Sequence, residues 1–165
     1  SDHRFYSAVF AFGDSILDTG NNNFIPTAIQ SNHAPYGVSF PGQIPTGRFS
    51  DGKLLSDLLV SFLGIKETLP PFLNPSLSES DLLTGVCFAS AAAGYDDITN
   101  GAFKIIPIVK QLELFRNYIG RLSAMVGEQE AKKIIGNSLI LVSGGSNDHL
   151  ITYYDAGIRK IQFPA

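Results

Sequence analysis

The sequence predicts an α/β fold: three layers, with helices on both faces of a parallel central sheet. Three observations carry this. Short apolar runs stop abruptly at glycine or serine, the stretches between them show helical periodicity, and the two patterns alternate along the chain. The chain has 165 residues, 44% of them hydrophobic and 16% charged. That length suits one domain, spanning 1–165, and a domain of this size buries roughly 70% of its unfolded surface.

The first apolar run is Ala8-Val9-Phe10-Ala11-Phe12. It ends at Gly13 and reads as a buried strand followed by a tight turn. Residues 18–23, Asp-Thr-Gly-Asn-Asn-Asn, are loop chemistry, and the prolines and glycines of 35–52 mark a long surface excursion. Leu54, Leu55, Leu58, Leu59, Phe62 and Leu63 recur at helical spacing. They predict a one-sided helix packed on the sheet, capped by Ser50 or Asp51 and closed by Gly64. A proline-rich loop follows at 69–75.

Gly85-Val86-Cys87-Phe88-Ala89-Ser90 reads as a second buried strand running into Ala91-Ala92-Ala93-Gly94. Ile108, Leu112, Phe115, Ile119 and Leu122 predict a helix over 107–126. Gly127 breaks it, Glu128 to Ile135 forms another, and Gly136-Asn137 ends that one. Leu139-Ile140-Leu141-Val142 is the clearest strand and stops at Ser143-Gly144-Gly145.

Composition excludes some functions. The net charge is −3 with no basic run, so no nucleic-acid partner is expected. No apolar run reaches the roughly 18–20 residues of a membrane span. Cys87 is the single cysteine, which rules out an internal disulfide and suits packing in a buried strand better than nucleophilic chemistry. The chain opens at Ser1 without a basic-then-apolar leader, and Pro75 disqualifies the near-sequon Asn74-Pro75-Ser76. No cofactor is expected, and no motif specifies an oligomeric state.

Three polar motifs each follow an apolar strand: Gly13-Asp14-Ser15, Ser90-Ala91-Ala92-Ala93-Gly94 and Gly145-Ser146-Asn147-Asp148. Ligand sites of open parallel sheets lie beyond the carboxyl ends of the strands, so the three should meet at one edge. A serine at such a turn can attack a carbonyl if a base takes its proton. The resulting oxyanion needs donors, and the N–H of Ser15, an N–H near Ala91 and the amide of Asn147 can supply them.

Phe12-Gly13-Asp14-Ser15-Ile16-Leu17-Asp18-Thr19-Gly20-Asn21-Asn22 closely resembles the first block of the plant GDSL esterase/lipases of the SGNH hydrolase superfamily. Pro45-Thr46-Gly47-Arg48-Phe49-Ser50-Asp51-Gly52, Val86 to Tyr95, and Val142 to Asp148 resemble later blocks in the same order. The resemblance implies a flavodoxin-like sheet that is incomplete at its C-terminal strands, leaving an unpaired apolar edge. It implies a secreted carboxylic ester hydrolase acting on a small-molecule or lipid ester. Ser15 is then the nucleophile and an oxyanion donor, Asn147 the side-chain donor, and Ala91 the residue at the position of the family's donating glycine.

The family's last block, Asp-x-x-His, supplies the base. No aspartate here has a histidine three residues later. His149 beside Asn147 is a weak stand-in, and His3 and His33 read as loop residues. Asp14, Asp18 and Asp148 read as structural carboxylates, and Arg48 as an ion-pair residue. The plainer alternatives are a turn serine at Ser15 and a loop asparagine at Asn147 that bonds its own backbone. At the level of the chain, the alternative is a truncated or non-catalytic binding protein that keeps the cleft and lacks the base. A flavodoxin-like nucleotide site fits less well, because Asp14 would sit where a phosphate belongs.

Overall fold

The computed structural model describes residues 5–101 and 103–163. Strand β1 runs Ala8–Gly13, and all six of its residues are buried. Strand β2, Ser138–Ser143, pairs with it in parallel, with Ala8 opposite Ser138 and Gly13 opposite Ser143. The 85–90 segment lies along the other side of β1. Phe88 N–H donates to Ala11 O at 2.7 Å and Ser90 N–H to Gly13 O at 3.0 Å, and Ala11 and Cys87 form a parallel bridge. The spatial order is therefore 85–90, β1, β2. The first element in sequence is the central one, and the strand order reverses between β1 and β2.

Helices cover both faces. Helix α1 is Leu55–Phe62, α2 is Glu79–Thr84, α3 is Asp97–Gly101, α4 is Ile108–Val126, α5 is Glu128–Gly136 and α6 is Ile158–Gln162. Period-two alternation sends Ala8, Phe10 and Phe12 to one face, where they meet Phe88, Tyr118 and Leu122 of α4, and Ala131 and Ile134 of α5. Phe12 stacks on Phe88 with ring centroids 5.1 Å apart, and Phe10 meets Tyr118 edge-on at 5.0 Å. Such pairs add about 0.5–1.5 kcal/mol each beyond area burial. Val9 and Ala11 point to the other face, against Val60 of α1, Leu17, Ile65 and Leu69. This is the expected α/β arrangement in three layers.

The 107–126 and 128–135 helices stand where periodicity places them, with Gly127 at φ +84° between them. Two features differ from expectation. Helix α1 buries only part of its leucine stripe: Leu54 is buried and Leu59 and Leu63 half-buried, but Leu55, Leu58 and Phe62 are exposed, and the buried residues of the helix itself are Ser56, Asp57 and Val60. Asp57 turns the helix. Its carboxylate accepts from the N–H groups of Leu54 and Leu69, both at 2.9 Å, and pairs with Arg48, so it must face inward. Asp57 also displaces Ser50 and Asp51 as the cap, since Leu54 occupies the N-cap position. Gly64, at φ +66°, follows the helix end as expected.

The second difference is β2. Its apolar run is the clearest in the sequence, yet Ile140 and Val142 are exposed. They lie opposite Phe10 and Phe12 and share their face, beyond the cover of α4. Among the described residues β2 has no strand on its other side, in keeping with the apolar edge that the family resemblance implies. Helices α2, α3 and α6 and a π-helical stretch at Asp148–Asp155 were not anticipated, being short or locally irregular. Among the described residues no helix is long and apolar enough to cross a membrane.

Candidate active site

Gly13 ends β1 at φ +130°, a conformation that favours glycine. A Cβ there would lie 1.7 Å from Ser143 O, so a side chain would push the ends of β1 and β2 apart. Gln111 of α4, fully buried, holds this point from both sides. Gly13 N–H donates to its Oε1 at 2.7 Å, and its Nε2 donates to Gly13 O at 2.8 Å. The amide thus satisfies a buried N–H that no strand neighbour reaches.

The chain then coils at once. Asp14 O accepts from the N–H groups of Leu17 at 3.1 Å and Asp18 at 3.0 Å. Ser15 sits half-buried on this turn, before the exposed Ile16. Its N–H has no hydrogen-bond partner among the described residues. Asp14 is buried. Its Oδ1 accepts from Ile16 N–H at 3.1 Å and from the Ser143 hydroxyl at 3.3 Å, while its Oδ2 has no partner among the described residues.

Asn147 follows β2 after two glycines. Its Nδ2 donates to Ala93 O at 2.9 Å, which leaves a second amide proton. The partner is 54 residues away, so this is not a loop asparagine bonding its own backbone. Asp148 accepts from the N–H groups of Tyr95 at 2.9 Å and Asp96 at 3.0 Å, and from the Thr99 hydroxyl at 2.8 Å. Gly94 leaves the room for it: a Cβ there would fall 2.1 Å from Asp148 Oδ1. The loops after the 85–90 segment and after β2 are therefore tied together, and Ser90 N–H and Ser143 O tie both to the Gly13-Asp14 corner.

One site residue needs correction. Ala91 was the expected backbone donor, but its N–H donates to Asp18 Oδ2 at 2.9 Å. That proton is already taken. The next residue, Ala92, has an N–H without a partner among the described residues and a left-handed backbone at φ +67°. Glycine suits that conformation and alanine tolerates it at a cost of roughly 1–2 kcal/mol. The signal was present in the sequence as a small-residue run, but a run of alanines does not say which of them turns.

Asp18 is a structural carboxylate, as read. Its Oδ1 accepts from the N–H groups of Gly20 at 2.8 Å and Asn21 at 2.7 Å. Burial nonetheless raises its pKa to about 6, outweighing the backbone hydrogen bonds that favour the charged form. Cys87 is buried beside it. Its thiol donates to Leu17 O, and burial first, then the Asp18 charge, push its pKa up to about 12. A thiol so placed packs and does not attack.

Arg48 is the ion-pair residue expected. It grips Asp57 with two bonds of 2.7 and 2.8 Å and donates to Thr19 O at 3.2 Å, bracing the loop beyond Ser15. His149 lies exposed on the π-helical stretch against the Tyr153 and Tyr154 rings, and His33 is exposed. His3 lies outside the described residues. Among the described residues no histidine bonds to Ser15, and no cluster of side chains could hold a metal ion.

The family profile of the GDSL-like lipase/acylhydrolases matches residues 9–164, covering all three strand-end motifs. The chain belongs to this family. It is similar to several GDSL esterase/lipases of Arabidopsis thaliana. Two are 50% identical to it, over 160 and 155 residues, covering 96% and 94% of this chain. A third is 48% identical over 160 residues. The chain spans less than half the length of these relatives, at 45%, 43% and 44%. No solved structure was found to match it.

Proposed function

We propose that this GDSL chain carries the nucleophile and oxyanion hole of a serine hydrolase acting on carboxylic esters. The observation that carries the reading is the convergence at the sheet's carboxyl edge. Ser15 on its turn, the N–H of Ala92 and the second amide proton of Asn147, both without a partner among the described residues, stand on loops bonded to one another.

In this mechanism Ser15 Oγ attacks the ester carbonyl and its proton passes to a base. The carbonyl oxygen becomes an oxyanion that accepts from the N–H of Ser15, the N–H of Ala92 and Nδ2 of Asn147. Collapse breaks the ester C–O bond, and the alcohol leaves with the proton. Water then attacks the acyl–Ser15 ester and releases the acid. By family resemblance the base belongs to an Asp-x-x-His block, which this sequence does not contain. The same resemblance supports a lipid or small-molecule ester as substrate and an extracellular location.

The test is covalent labelling by an alkyl fluorophosphonate, read by intact mass and peptide mapping. One phosphonyl group on Ser15 is expected, with labelling lost in Ser15→Ala. Equal labelling of Ser15→Ala would sink the nucleophile assignment. A chain that labels only slowly at Ser15 and hydrolyses no p-nitrophenyl ester above background is the truncated or non-catalytic binding protein instead.

A further inference from the structure

The stretch Asp18-Thr19-Gly20-Asn21-Asn22 follows the nucleophile, yet the hydrolytic mechanism gives it no part. The side chains of Asp18, Asn21 and Asn22 are all buried. All three bond to the outer edge of the 85–90 segment or the residue just beyond it, while Asn22 Nδ2 also donates to Ile29 O at 2.8 Å and Asn21 Oδ1 accepts from Leu73 N–H at 3.1 Å.

In a parallel pair, successive backbone groups point to opposite sides. Here Val86 O and the N–H groups of Phe88 and Ser90 point to β1. The odd-numbered groups point away from it and need other partners. Asn21 Nδ2 donates to Cys87 O at 2.9 Å and to Ala89 O at 2.8 Å. Asn22 Nδ2 donates to Ala91 O at 3.2 Å, and its Oδ1 accepts from the Ser90 hydroxyl at 2.6 Å. Asp18 Oδ2 accepts from Ala91 N–H at 2.9 Å. The backbone at 70–72 pairs with this edge only around Cys87, where Cys87 N–H donates to Pro70 O at 2.9 Å and Phe72 N–H to Cys87 O at 2.8 Å. From Ala89 to Ala91 the three side chains take over, and they do so from the loop that follows Ser15.

We infer that Asp18, Asn21 and Asn22 are positioning residues: they lock the 87–91 backbone to the Ser15 turn so that Ala92 holds its left-handed conformation and presents its N–H to the oxyanion. The inference rests on the hydrolase reading given above. Its physical content is registration. The attacking oxygen and the oxyanion donor come from segments more than seventy residues apart, and preorganised donors work only when held near the position the charge will occupy. A conformation as sparsely populated as that of Ala92 persists only where its surroundings over-determine it. The side chains at 18, 21 and 22 supply that constraint on the N-terminal side of Ala92, and Asn147 supplies it at Ala93 O.

Asp18→Asn is the sharpest probe. Both carboxylate oxygens accept from N–H groups, so a carboxamide must turn its NH2 toward a donor on one side. Fluorophosphonate labelling of Ser15 is followed at increasing probe concentration, which separates the maximal rate from the apparent affinity. The maximal rate should fall at least tenfold in Asp18→Asn and several-fold in the milder Ser90→Ala, with the apparent affinity little changed. Amide exchange over 87–93 should quicken in both variants, while the α4 amides stay protected. Asn23→Ala is the control: Asn23 shares the loop but bonds to Thr46 O, so labelling should match the unaltered chain.

Unchanged maximal rates in Asp18→Asn and Ser90→Ala, with Ser15 still labelled in the unaltered chain, overturn the positioning role and leave the nucleophile assignment standing. Absence of Ser15 labelling in the unaltered chain overturns the hydrolase reading and the inference with it. If Asp18→Asn does not fold, the rate and exchange of Ser90→Ala decide.

Discussion

Strands β1 and β2 have the same length and lie side by side in one register, but their surroundings differ sharply. Every residue of β1 is buried, whereas β2 alternates between half-buried and exposed positions, with Val142 61% exposed. β1 has a hydrogen-bonded neighbour on each side and helices on both faces. Among the described residues β2 has one pairing neighbour, and its Ile140–Val142 face lacks helical cover. The Ser15 turn therefore grows from the best-packed part of the molecule. Asn147 grows from one of the least enclosed, and cross-loop bonds do the holding there: Asn147 to Ala93, and Asp148 to residues 95, 96 and 99.

The largest effect expected from this contrast compares partners across the two strands. Phe10 and Ile140 are paired and share a face. Phe10→Ala removes a ring packed against Phe88, Phe115 and Tyr118 and should cost about 3–5 kcal/mol. Ile140→Ala, at a half-exposed position, should cost under about 1 kcal/mol. Urea denaturation of both variants measures the gap, and equal losses would show that the two strands are equally enclosed.

The next effect tests whether the buried half also governs the response to pH. Asp18 titrates near 6 in the folded chain, against an ordinary value of 3.8. Between these values the folded state keeps a proton that the unfolded state has released. Stability should therefore fall as pH rises through this window, by about 3 kcal/mol in all, and level off above it. The neighbouring Cys87 thiol stays protonated throughout. Asp18→Asn should remove that slope from a series of melts between pH 3.5 and 7 (about the span of the two values). A slope that survives in the variant assigns the titration to another group.

The smallest effect is a gain. Ala92→Gly should relieve the left-handed alanine and stabilise the chain by about 1 kcal/mol, raising Tm by roughly 2–4 °C. A lower Tm in this variant would mean that the alanine methyl packs usefully and that the backbone there is not strained.

Much of this architecture was readable from the sequence, for local reasons. β1, the 85–90 segment, α4, α5 and β2 each carry their signal within a few residues: an apolar run with a glycine or serine stop, or apolar spacing closed by glycine. The three strand-end motifs inherit that legibility, because a parallel sheet gathers the carboxyl ends of its strands at one edge. The misreadings have the opposite character. The leucine spacing in α1 is real, but it cannot show that Arg48 and a buried Asp57 rotate the helix and leave Leu55, Leu58 and Phe62 outside. Once the pair is enclosed, turning either charge out of it would leave the other unpaired in the core at a cost of about 3–5 kcal/mol.

By itself, then, the sequence determined the fold class, the order of the strands and of the helices at 107–126 and 128–135, and which loops would meet, with Ser15 at the head of them. Only the tertiary structure decided which groups in those loops are free. Ala91 and Ala92 are the same residue type, side by side. Asp18, held on the Ser15 turn by contacts that form only on folding, takes the N–H of the first and leaves the N–H of the second. The direction of a peptide N–H depends on backbone angles and on partners far away in the chain, and an amino-acid pattern carries neither.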